Sequence, residues 1–96
     1  MTTVSIPYDS VLLMEKTADK LRCACNLSAA FLDDKANRRN LRFVITNLHQ
    51  LASLTPTNKG MVTVDKRTLQ KVSNACEGID YDHAEQLNKI IKGALA

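Results

Sequence analysis

"MVTVDKRTLQ", residues 61 to 70, changes period halfway along, and the fold turns on that change. From 61 to 64 apolar residues alternate with Thr63 and are rich in β-branching, which suits a short strand. From Asp65 onward the stretch reads as a helix running to about Cys76. Asp65 stands where a helix cap belongs, and Val64 is placed to staple onto Leu69. The N-terminus repeats this order. Val4 and Ile6 alternate with Thr3 and Ser5, and Tyr8 and Leu13 then bracket Asp9 as a second staple and cap. Two such strands can pair antiparallel, within the chain or between two copies, because helices behind a ribbon stabilise what an isolated hairpin cannot hold.

Working outward, Val11, Met14, Ala18, Leu21 and Cys25 give the first helix a buried stripe. "NLSAAFLDD", residues 26 to 34, offers a serine cap at Ser28 and leaves open whether the helix bends or breaks there. A second periodic stretch runs from about Asp34 to Leu54, with Leu41, Val44, Leu48 and Leu51 on one face and Ile45 and Ala52 widening it. "TPTNKG" then ends it, since Pro56 disfavours helical geometry at Thr55 and Asn58 to Gly60 form turns. Beyond Cys76, Gly78 reads as a left-handed stop with Ile79 as its apolar contact. Asp82 and Glu85 have capping-box spacing for a last helix whose inner face is Ala84, Leu87 and Ile91. The expected fold is mainly α: four or five short-to-medium helices in a compact bundle with one small two-stranded antiparallel ribbon (residues 3–6 with 61–64). It forms a single domain, 1–96, of two strand-helix-helix halves, about 1–54 and 61–96, joined by loop 55–60.

With 96 residues, no tryptophan, and only Tyr8, Phe31, Phe43 and Tyr81 as aromatics, the core must be aliphatic. No apolar run approaches the length of a membrane span. "MTTVSIPYDS" lacks the features of a secretory signal, so the expectation is a soluble protein of the cytoplasm. Cys23, Cys25 and Cys76 are odd in number, which argues for reduced thiols over a disulfide framework.

The formal charge is +3. Its excess lies wholly in residues 33–60, chiefly in "KANRRNLR", residues 35 to 42. Lys35, Arg38, Arg39 and Arg42 fall at helical steps and form one stripe, roughly 130° around the axis from the Leu41, Val44 and Leu48 face. Lys59, Lys66, Arg67 and Lys71 form a second set that the fold could bring beside the first. Arginine's planar fork suits carboxylates and phosphates alike. The plainer reading is a solvated helix face offset by Asp33 and Asp34.

Other chemistry is weaker. Cys23 and Cys25, with His49, Cys76 and His83 as completing ligands, would make a metal site, but two helical positions are about 200° apart and cannot easily face one ion. "DYDH", residues 80 to 83, is explained by helix capping. No nucleophile turn supports Cys76 with His49 or His83, and Gly60, Gly78 and Gly93 are too scattered for a phosphate loop. We expect no metal, no cofactor and no enzymatic activity. The first functional expectation is a protein-binding module that regulates or inhibits a larger partner. The second is a DNA- or RNA-binding protein. The strand-helix-helix order resembles the ribbon-helix-helix repressors over about residues 2–32 and 60–93. That resemblance implies a dimer or pseudo-dimer with Thr3, Ser5 and Thr63 toward the bases. These positions lack the Arg, Lys, Asn or Gln of strong base readout, and helix 66–77 is short for the family.

Overall fold

A computed structural model describes residues 2–96. The two alternating stretches pair within the chain: β1 (Thr3–Pro7) runs antiparallel to β2 (Met61–Asp65), with Thr3 opposite Asp65 and Pro7 opposite Met61. Ile6, Val62 and Val64 are buried on the inner face, whereas Thr3, Ser5, Pro7 and Thr63 are exposed on the outer one. Backbone bonds from Tyr8 N to Gly60 O (2.8 Å) and from Lys66 N to Thr2 O (3.1 Å) close the ribbon's two ends. They put the hydrogen-bonded pairs at even positions of β1. Pro7, which has no N–H, therefore falls in a non-bonded pair, with its nitrogen toward the free edge, where the ladder loses nothing.

Five helices follow from the periodic segments: α1 (Tyr8–Asn26), α2 (Ala29–Asp33), α3 (Lys35–Ala52), α4 (Lys66–Glu77) and α5 (Asp82–Leu95). Both α1 and α4 start at the ribbon, and each packs against both α3 and α5, which return antiparallel to them. The two strands and the helix starts that follow them are related by an approximate local two-fold axis through the ribbon. Positions 58 apart correspond, pairing β1 with β2 and the start of α1 with that of α4. Ile6 matches Val64, Val11 matches Leu69, Met14 matches Val72 and Ala18 matches Cys76, all of them buried. The two ribbon-end bonds are also exchanged by this axis.

That correspondence corrects the expected start of α1. Its N-cap is Pro7, with no side-chain cap bond; Asp9 lies inside the first turn, and Leu13 is 50% exposed instead of stapled beneath Tyr8. The helix begins early because the carbonyl of Gly60, the residue just before β2, takes its first free N–H. Tyr8 packs against the core, and its hydroxyl donates to Ala52 O at 2.6 Å, tying the start of α1 to the end of α3. At the second ribbon end Asp65 does cap α4, accepting from Arg67 N at 2.8 Å, and Val64 and Leu69 lie in the same core.

The helix break is real. Ser28 caps α2 through Phe31 N (3.2 Å), and Asp34 caps α3 through Ala36 N (2.9 Å) and Asn37 N (3.3 Å). Two further expectations fail. Gly78 has φ −81°, an ordinary right-handed value, and α5 is preceded by Tyr81 with no side-chain cap bond, so Asp82 and Glu85 serve only as favourable charges in its first turn. A Cβ at Gly78 would lie 2.5 Å from Nδ2 of the half-buried Asn40 of α3, so a side chain there would require that amide to shift.

The core divides along the long axis of a molecule measuring 44 × 23 × 19 Å. The ribbon-end cluster includes Ile6, Val11, Met14, Val44, Leu48, Leu69 and Leu87. The far-end cluster of Leu21, Cys25, Phe31, Leu41, Ile79 and Ala84 is closed by an edge-to-face contact of Phe31 on Tyr81, with ring centroids 5.6 Å apart. Among the described residues no helix is long and apolar enough to cross a membrane.

Candidate interaction surface

The basic stripe lies on one unbroken helix. Because Leu41, Val44 and Leu48 draw one side of α3 into the core, Lys35, Arg38, Arg39 and Arg42 are held outward, and all four line one shallow recess at the end of the molecule remote from the ribbon. Among the described residues none of the four forms an ion pair, and the Asp34 carboxylate is engaged in capping α3.

The stripe is a ridge between two grooves. On one flank, between α3 and α4, Arg39 and Lys71 face each other across Phe43 and Ala75. On the other, between α1, α2 and α3, Arg38 and Arg42 share with Arg22 a groove floored by Leu32, Leu41 and Ile45. Of the eight residues expected to bind a partner, Lys35, Arg38, Arg39, Arg42 and Lys71 are thus brought together. Lys59 precedes one end of β2, while Lys66 and Arg67 follow the other, and a five-residue strand spans about 17 Å. These three do not extend the ridge. Arg42 lies ten residues, about 15 Å along the helix, from the ribbon end of α3. Thr3, Ser5 and Thr63 do face outward, so a duplex seated on the ribbon would leave the stripe at the opposite end of the molecule.

Sequence reasoning missed Arg22, Leu32 and Phe43. Arg22 is masked by Asp19, its i,i+3 neighbour at 3.8 Å, so counting charges by segment hides it. Phe43 was within reach of the sequence: it lies one turn beyond Arg39 on the same face, and the structure leaves it 36% exposed.

The remaining candidates fall elsewhere. Cys23 is exposed and Cys25 buried, as two helical steps require, and among the described residues no group of three His, Cys, Asp or Glu side chains is arranged to hold a metal ion. Burial pushes the Cys25 thiol up to about 11; burial and then the charge of Glu77 push Cys76 up to about 12, so neither is a nucleophile near neutrality. His49 is a strut between helices, with Nδ1 2.9 Å from Glu15 Oε2 and Nε2 3.7 Å from Asp19 Oδ1, both on α1. His83 and Asp82 sit in the first turn of α5. No protein-family model, curated protein or solved structure matches this chain. The structure defines a class of architecture: a mainly α fold of five helices with a two-stranded antiparallel ribbon, bearing one cationic ridge.

Proposed function

We propose that this is a non-enzymatic binding protein, acting inside the cell, that regulates or inhibits a larger protein by docking the α3 ridge onto an acidic surface. The observation that carries this reading is the combination of unpaired guanidinium groups with apolar groove floors directly beside them. Phosphate recognition needs the charges alone, whereas protein interfaces favour arginine next to aliphatic and aromatic anchors. The charge contributes orientation and association rate, and the floors contribute buried area.

Capture from lysate by the tagged chain, with and without nuclease, tests it. A specific protein should be retained in both conditions, and Arg38→Glu/Arg39→Glu/Arg42→Glu should weaken its binding by about tenfold or more, as three rim charges of moderate worth would. Retention that vanishes on nuclease treatment, with a steep salt dependence, would support a second reading as a nucleic-acid-binding pseudo-dimer. That reading is favoured by one observation, the intramolecular ribbon with Thr3, Ser5 and Thr63 outward. No macromolecule retained in either condition would dispose of both.

A further inference from the structure

We infer that the groove between α1, α2 and α3 is the seat of the contact, and that its occupant is an acidic amphipathic helix of the protein partner, two to three turns long. This rests on the protein-binding reading above and narrows it to one groove and one kind of ligand. Toward the groove α3 presents Arg38, Leu41, Arg42 and Ile45, a face on which cations and aliphatic groups alternate. Leu32 closes the floor from α2; it is 37% exposed and belongs to neither core cluster. Across from α3 stands Arg22, whose half-exposed guanidinium lies 3.8 Å from Asp19 Oδ1, too far for a hydrogen bond, which leaves its N–H groups free to donate to another carboxylate.

The spacing specifies the ligand. Arg38 and Arg42 are four residues apart, a rise of about 6 Å, and the same rise separates carboxylates at i and i+4 on a second helix. Such a helix can satisfy both guanidinium groups while a leucine or methionine between its carboxylates covers Leu32 and Leu41. Along α3 the lining residues run from Arg38 to Thr46, about 12 Å, which fits a contact of two to three turns. The α3–α4 groove is a poorer seat, since Arg39 and Lys71 come from different helices and no i,i+4 cationic pair lines it.

The probe is a synthetic 14-residue helical peptide carrying Glu at i and i+4 with Leu between them, titrated into the ¹⁵N,¹³C-methyl-labelled full chain and followed by NMR. Saturable shifts confined to Arg22, Leu32, Arg38, Leu41, Arg42 and Ile45 are expected. Affinity should fall about tenfold in Arg38→Glu/Arg42→Glu and several-fold in Leu32→Ser, and should be lost for a peptide of equal charge with Leu replaced by Ser. Arg39→Glu/Lys71→Glu should leave it within twofold. The inference is overturned by no saturable shift at millimolar peptide, by shifts spread over all basic residues, or by equal binding of the serine peptide or of a single-stranded oligonucleotide. Arg22→Glu and Leu32→Ser separate the two claims. If the captured protein partner ignores both yet responds to the triple reversal on the ridge, the docking reading stands and this groove does not.

Discussion

Gly60 and Gly78 both close off an element, and alanine at each is expected to destabilise the protein for different reasons. Gly60 has φ 72° and nothing near the space a Cβ would take, so Gly60→Ala strains the backbone alone, at about 1–2 kcal/mol. Gly78 has an ordinary φ, and the atom nearest its Cβ position is the movable amide end of Asn40, so Gly78→Ala costs less, about 1 kcal/mol or below, through displacement of that side chain. Urea midpoints of a double-mutant cycle distinguish them. Asn40→Ala should recover much of the loss at Gly78 and none of that at Gly60. Additive behaviour at Gly78 would mean that Asn40 is not what the glycine makes room for. The sequence shows both glycines next to element ends, but a glycine retained for space looks the same as one retained for its dihedral angle.

At the scale of elements, the capped starts of α2 and α4 were legible, whereas the caps expected for α1 and α5 are not the ones the fold uses. Ser28, Asp34 and Asp65 cap the helices they precede, each acting on N–H groups two or three positions away. The start of α1 escaped because its first donor is met by Gly60 O, half the chain away, and because Tyr8 is committed to Ala52 instead of to a local staple. Capping substitutions test this contrast. Asp34→Ala and Asp65→Ala should each lose about 1 kcal/mol in chemical denaturation, whereas Asp9→Ala should lose only the few tenths due to a charge near a helix N-terminus. Equal losses at all three would restore Asp9 as a cap. The groove was less legible than the helices, since periodicity places residues around one axis and Arg22 meets Arg38 only when two axes are packed.

For the molecule as a whole, the sequence contained the repeat but showed its alignment only imperfectly. Matching Asp9 to Asp65 and Leu13 to Leu69 offsets the helices by two positions, whereas burial matches Pro7 to Asp65 and Val11 to Leu69. The two-fold also places Ala18 and Cys76 at equivalent core positions, and the buried thiols give global stability a pH dependence. In the unfolded chain they titrate near 9.0, but in the fold only near about 11 for Cys25 and about 12 for Cys76. Below pH 9 both states keep these protons and the thiols add no slope. Above it the unfolded chain loses them first, so stability falls by up to about 1.4 kcal/mol per pH unit per thiol until each folded value is reached. Urea midpoints between pH 7.5 and 10.5 should therefore drop more steeply for the parent chain than for Cys25→Ala/Cys76→Ala. Parallel curves would show that these thiols contribute nothing to the alkaline loss.

The placement of Pro7 has one further effect. A paired ribbon still offers two open borders to any passing extended chain, and such borders are where fibrils begin. On the β1 side an incoming strand would meet a missing donor and a rigid ring at Pro7, so recruitment of a third strand there is discouraged by the same residue that introduces α1.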